Sequence, residues 1–349
     1  MKSSLRLIIT TVVLTMVLML CAITTCACID GSKGLEYTVN DDGKTCTITG
    51  IGKYSSKDLT IPDALGGYEV TAIADYAFKG TDIETVSGGN NVTRIGKGAF
   101  QDCKQLIKVT IPAGVTTIQE ECFRGCSELR RMTLPPNLIQ IGECAFQACI
   151  ILKNIDIPNT TKIIGNSAFY GCLSLKSITI PDGVMRIDAG AFAGCVSLTN
   201  INFPASVRSV GEGLVCYNSL ITIDVEADSP VLSSIDGNLY AEDNSVFISY
   251  ACAKPDSSFD IPEGVVILSG WLFAGCHNLK TISIPKSVNS IGFEIFFKSP
   301  NIETIYYDGT VEDWKRIDKV DGWNANTESI FTIICTDGTI AMDGTVTYN

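Results

Sequence analysis

Histidine is almost absent from this chain: its 349 residues include one, His277. A Ser-His-Asp or Cys-His catalytic arrangement needs an imidazole as its base, so any such site would have to run through that residue. His277 follows Cys276 at a position that other copies of the same motif fill with Ser127, Ile150, Leu173 and Val196, so nothing there is being held for chemistry. Charge is sparse as well, at 18% of residues, which speaks against disorder. Cations are the minority, 26 Lys and Arg against 38 Asp and Glu, for a net charge of −12. An acidic chain without a basic stripe is ill suited to phosphate backbones or anionic headgroups, which argues against nucleic acid as a partner. No phosphate-binding glycine loop occurs, and no C-x2-C pair meets another at zinc spacing. Paired carboxylates need no histidine, yet Glu120-Glu121 and Asp41-Asp42 read as solvated charges on turns. The expectation is a protein that is not an enzyme and uses neither cofactor nor metal.

Long apolar runs are also missing, except one. Lys2 and Arg6 precede the apolar stretch Leu7 to Ile23, and the small residues of TTCAC follow it. This reads as an export signal over residues 1–27, cleaved after Ala27 so that Cys28 becomes the first mature residue. Thr25-Cys26-Ala27 is similar to a bacterial lipobox, with Thr where Leu is usual. Cys28 is therefore the candidate lipidation site, with plain secretion as the alternative. A run of this length also sits at the short edge of a membrane span, ~17–25 residues, so an uncleaved anchor is the third reading. Membrane contact is expected only through these routes, and the location is secreted or cell-surface.

What the chain does have is apolar residues, at 46% enough for a large core, and a beat. Phe78, Phe100, Phe123, Phe146, Phe169 and Phe192 recur in steps of 22 and then 23, Val215 takes the next slot, and Phe273 and Phe296 resume the series. Around each, the frame is F-x2-C-x2-L-x2-I-x-I-P-x3-V-x2-I-x4-F, as in Phe169, Cys172, Leu175, Ile178, Ile180, Pro181, Val184 and Ile187. The I-x-I stretch has the period of a strand, and Pro181 ends it because proline cannot donate to a ladder. The return leg through Val184, Ile187 and Phe192 points inward at irregular spacing. One coil cannot bury these side chains; stacked coils can. Each buried Phe contributes ~1.5–3 kcal/mol. About eleven coils with parallel strands ~4.8 Å apart give a rod some ~50 Å long.

This frame resembles the leucine-rich repeats of BspA-like bacterial surface proteins, with A-F-x-G-C and I-x-I-P as the specific elements, from Leu59 to Tyr307. The resemblance implies a right-handed, curved leucine-rich repeat solenoid with parallel strands on one face and a mostly irregular convex side. It also implies exported or surface-bound proteins that adhere to host matrix proteins or other cells. The expected organisation is a signal at 1–27, an N-terminal cap hairpin at 28–58, the solenoid at 59–307 and a small mixed C-terminal cap at 308–349. An insertion falls at about 226–258. Its apolar pairs Leu239-Tyr240 and Val246-Phe247-Ile248 flank a polar turn, predicting a hairpin that projects from the rod. Tyr37-Thr38-Val39 and Cys46-Thr47-Ile48 flank NDDGK as the N-terminal hairpin, GTVEDWKRID starts a short helix, and Trp314 and Trp323 plug the last coil.

Cysteine is abundant, with 15 residues. Six share one slot, Cys103, Cys126, Cys149, Cys172, Cys195 and Cys276, which Thr81, Asn218 and Ser299 fill in other copies. A zinc ligand does not tolerate that exchange. A small side chain that hydrogen-bonds buried turn backbone does, so these cysteines are expected to form a structural ladder. Disulfides between coils are the alternative, although five consecutive copies cannot pair completely. Cys122 and Cys144 are the better-placed pair, and Cys46, Cys216, Cys252 and Cys335 have no assignable partner.

With the apolar strand residues inward, their neighbours face out. Lys108, Arg131, Asn154, Ser177 and Asn200 form one outward column and Thr110, Thr133, Asp156, Thr179 and Asn202 the next. These ten are the candidate ligand face, against the simpler reading of a solvated strand surface in which Thr favours the strand. Tyr240, Phe247 and Tyr250 on the inserted hairpin are a competing contact region. The partner expected is an extracellular or cell-surface protein or glycan. A structural spacer without a ligand is the alternative function, and a hydrolase with its site outside the repeats a second.

Overall fold

The alternating I-x-I stretches do lie along one side of a stacked coil. The computed structural model describes residues 34–241 and 243–349; the export signal and Cys28 lie outside the described residues. Strands Asp58–Ile61, Thr85–Gly88, Lys108–Thr110 and Arg131–Thr133 pair in parallel with no offset, Val86 beside Val109 and Val109 beside Met132. Asn200–Phe203 pairs with Thr222–Val225, and a further run joins Ser258–Asp260, Thr281–Ile284, Thr304–Tyr307 and Thr332–Cys335. Inward residues such as Leu59, Val109, Ile223 and Ile282 are fully buried. The ladder lapses over residues 154–157 and 177–180, where no strand forms, although Ile155, Ile157, Ile178 and Ile180 remain in the core.

A second parallel ladder runs along the return leg, which the spacing had left irregular. Thr117–Ile118, Gln140–Ile141, Ile163–Ile164, Arg186–Ile187 and Ser209–Val210 pair in that order. Each strand is two residues long, too short to carry a visible period. Its inward residues are Ile118, Ile141, Ile164 and Ile187, the isoleucines five positions before each Phe.

The third edge is the Phe turn, and it is tied across coils by the backbone. The N–H of Phe100 donates to the Cys122 carbonyl at 2.9 Å, and those of Phe123, Phe146 and Phe169 donate to Ala145, Ala168 and Ala191 at 2.8 Å. Between Phe78 and Phe192 the rings stack with centroids 5.2–5.6 Å apart and planes within 12°. That is an offset stack, which avoids the repulsion of directly superposed rings. The turn needs a left-handed residue two places after each Phe, hence Gly125, Gly171 and Gly194 with φ near 70°.

The insertion departs from expectation. Leu232–Ile235, Asn238–Ala241 and Val246–Ser249 form an antiparallel meander, so the hairpin exists. It does not project: Val246–Ser249 pairs in parallel with Ile267–Leu268 and supplies a rung of the second ladder. Tyr240 and Phe247 are fully buried and Tyr250 is 4% exposed. These three residues therefore belong to the interior and are not a contact region. The core falls into two apolar clusters that meet here, one from Leu35 to Ala251, the other from Tyr240 to Ile340.

Both ends are closed. Glu36–Val39 and Thr45–Gly50 form the antiparallel N-terminal hairpin. Its turn is held by Asp42, whose carboxylate accepts the N–H groups of Lys44 and Thr45 at 2.8 Å. At the other end helix α1 spans Val311–Arg316 and starts with a capping box between Thr310 and Asp313. Trp314 and Trp323 pack edge to face at 5.8 Å over the last coil.

Because the Phe column is continuous, Phe146→Ala leaves a cavity between two rings, and the expected loss is about 3–5 kcal/mol. Urea unfolding followed by circular dichroism should show an earlier midpoint. Tyr170→Ala, on the exposed neighbour of Phe169, should stay within about 0.5 kcal/mol of the parent.

Candidate functional site

The cysteine slot faces inward. Cys103, Cys126, Cys149, Cys172 and Cys195 are fully buried. Each Sγ–H donates to the carbonyl of the Phe one coil back, from Cys103 to Phe78 at 3.0 Å through to Cys195 and Phe169 at 3.2 Å. Ser299 in the same slot reaches the Phe273 carbonyl one coil back in the same way, while Thr81, in the first copy, donates to the carbonyl of Phe78 in its own coil. The sixth cysteine is different. Cys276 is disulfide-bonded to Cys252, the residue that the insertion brings to the place of the preceding coil, so Cys276 leaves the thiol ladder and Cys252 does have a partner. Cys122 and Cys144, the pair favoured on spacing, are both free: Cys122 is buried and Cys144 is partly exposed.

Burial disfavours the thiolate in this column and at Cys216 beside it. It pushes Cys195 and Cys216 up to about 12 from an ordinary 9.0, and Cys126, Cys149 and Cys172 rise well above that ordinary value. Such thiols are poor nucleophiles near neutral pH.

The ten candidate face residues are all exposed and lie on one side of the first ladder. Lys108 stands beside Arg131 and Thr110 beside Thr133 in the pairing, and further along Asn200 and Asn202 stand beside Thr222 and Asp224. Asn154, Asp156, Ser177 and Thr179 occupy the stretch where pairing lapses, so the middle of the face is not braced by strand hydrogen bonds. The ion pairs of the described residues include none to Lys108, Arg131 or Asp156. The face thus presents uncompensated charges of both signs among small hydroxyl and amide groups.

Two concavities flank the insertion, where the coils separate, and the spacing gave no sign of them. One, of about 430 Å³, opens between Ser209–Val210 and Val246–Ser249. The other, of about 280 Å³, lies on the Phe-turn edge and is walled by Tyr170, Tyr217, Trp271 and Phe297. Glu212 borders both. The available signal was the exchange of glycine or alanine for an aromatic at fixed positions of the frame, Trp271 for Gly190 and Phe297 for Ala193.

The raised thiol values fix the sign of an alkaline effect. Below pH ~9 folded and unfolded chains both hold these protons and the contribution to stability is complete. As pH rises further the unfolded thiols ionise first, so stability falls until the folded thiols lose their protons near 12. Unfolding midpoints should therefore be level from neutrality to pH ~9 and decline above it. Replacing Cys126, Cys149, Cys172 and Cys195 with Ser, which does not titrate there, should flatten the decline.

Three repeat-region matches place the chain among known sequences: residues 51–176, 162–248 and 243–316 match the BspA type leucine rich repeat region, six copies in all. No curated protein matches. Among solved structures, a leucine rich cell surface protein from Faecalibacterium prausnitzii is similar, at 25% identity and a TM-score of 0.70 over 83% of this chain and 96% of that one. A leucine-rich repeat protein from Bacteroides ovatus has 22% identity and a TM-score of 0.63 over 87% and 76%. The pneumococcal vaccine antigen PcpA has 20% identity and a TM-score of 0.59 over 80% and 81%. The fold, a parallel solenoid of about 11 turns with almost no helix, agrees with all three. With three quarters of its length covered by the repeat, this chain belongs to the BspA-type leucine-rich repeat family.

Proposed function

We propose that the protein is an exported, non-catalytic scaffold that binds a protein or glycan at a cell surface, and that the first-ladder face is where it binds. The observation that carries this reading is the set of ten exposed side chains, with Lys108, Arg131 and Asp156 left without ion-pair partners among the described residues. Unpaired charges on an exposed face give an incoming partner a surface for electrostatic complementarity. The similar protein named as a cell surface protein supports the location. The face lacks aromatic anchors, so affinity is expected to come from many modest polar contacts along several coils.

The test is a binding screen of the immobilised full chain against extracellular-matrix proteins and cell-surface glycans. Combined Arg131→Ala, Thr133→Ala, Asn154→Ala and Asp156→Ala should weaken the interaction about tenfold or more, each 1.4 kcal/mol being a factor of ten. Raising the salt should weaken the parent's binding as well. Binding that survives the fourfold change places the contact elsewhere. No binding to any member of the screen favours a spacer without a ligand.

A further inference from the structure

The cleft on the Phe-turn edge exists because the coil ladder fails there. One coil earlier, three backbone bonds cross this edge: Gly190 to Glu212, Phe192 to Leu214 and Gly194 to Cys216, at 3.0, 3.0 and 2.8 Å. At the next step a single rung remains, Tyr217 to Ala274 at 3.4 Å, and the Leu272 carbonyl is taken instead by Tyr250 of the insertion. The coils diverge and leave the cavity of about 280 Å³. Its floor is made by Gly190, Gly213 and Ala193. Tyr170 comes from the coil of Phe169, Trp271 from the coil three steps further along the Phe series and Phe297 from the fourth.

We propose that this cleft is a second binding site, and that its ligand is a neutral saccharide. The repeat does not require aromatic rings at these places: that of Tyr170 and Phe297 holds Lys79, Arg124, Gln147 or Ala193 in other coils, that of Trp271 holds Glu121, Cys144, Ser167 or Gly190, and that of Tyr217 holds Gly125, Gly171 or Gly194. The faces of these rings are electron-rich and suit the polarised C–H faces of a sugar ring. Trp271 is held as a fixed platform: its Nε1–H donates to Glu294 at 3.0 Å and its ring packs edge to face on Phe293. Tyr217 packs edge to face on Phe297, and its hydroxyl is buried with no hydrogen-bond partner among the described residues. Glu212 lies on the rim, exposed, with no ion pair among the described residues.

These polar groups select the class of ligand. The Tyr217 hydroxyl and the Lys298 ammonium, which lies over the Tyr217 and Phe297 rings, can donate, and the Glu212 carboxylate accepts, so this edge offers both kinds of partner that a sugar hydroxyl uses. The Glu212 carboxylate only accepts, which serves sugar hydroxyls and not peptide carbonyls. Opposite charges at Glu212 and Lys298 leave this edge with no excess of either sign, which suits a neutral ligand. The volume lies near the lower end for ligand sites, ~300–1,000 Å³, so it seats a short saccharide segment and not the flank of a protein.

The experiment titrates the full chain with cellotetraose, maltotetraose and chitotetraose, read by tryptophan fluorescence and by saturation-transfer NMR. At least one should bind and perturb the fluorescence, and Trp271→Phe should remove that perturbation. Tyr170→Ala should weaken binding about tenfold, the loss of one stacking contact. Its fold is safeguarded because Ala193 and Ala274 stand at the same place in other coils. Glu212→Gln should weaken binding too, while the fourfold strand-face variant should bind these sugars as the parent does. Failure of all three sugars to bind at millimolar concentration overturns the proposal. So does affinity unchanged in both Tyr170→Ala and Glu212→Gln, or a decaproline probe that binds the cleft where the sugars do not.

Discussion

Every coil of this protein depends on its neighbour for two things at once. It cannot bury its own Phe, Leu and Ile, and it cannot satisfy its own turn backbone. The Phe N–H reaches forward to the next coil, while the cysteine thiol reaches back to the Phe carbonyl of the coil before. Those two bonds and the ring stack lock the turns to a common rise, and the two parallel ladders follow that rise. The dependence also explains the ends. A first or last coil would leave its core and its ladder edge open. An antiparallel hairpin covers one end, and the helix with the two tryptophans and a terminal meander covers the other.

The parts of this architecture that were legible in the sequence are those each coil repeats. Phe, Cys and the I-x-I pair recur in copy after copy, so chance matches cancel and the inward direction is read many times. The second ladder was not legible because a two-residue strand has no period. The insertion was read as a hairpin correctly and as a projection wrongly. Its strands hold adjacent apolar residues, Leu239-Tyr240 and Phe247-Ile248, and a strand with apolar residues on both sides is covered on both faces. Alternation with polar residues would have marked an exposed ribbon. The bond between Cys252 and Cys276 was hidden for a related reason: Cys252 lies inside the insertion, where the frame gives no register.

The candidate sites were legible to different degrees. The strand face follows directly from the period of two, since every residue between two buried isoleucines must face out. The aromatic cleft draws on Tyr170 and Phe297 from one place in the frame and on Tyr217 and Trp271 from two others, and they meet where rungs of the turn-edge ladder are missing. No count of spacing can reveal a lapse in hydrogen bonding between residues nearly 60 positions apart.

The joint at the insertion is where regularity ends and where both concavities occur, and one cause accounts for both. Within the regular coils, backbone bonds close neighbouring turns on each other along the Phe-turn edge. Where the meander enters, Tyr250 takes the carbonyl that the coil of Val215 would otherwise use, and Val215 itself lacks the ring that would carry the stack on. The core divides into two clusters at that point. A repeat protein gains stability coil by coil, so it can lose one interface without losing the fold. The break costs part of one interface, and in return it opens a cleft between coils that aromatic side chains line.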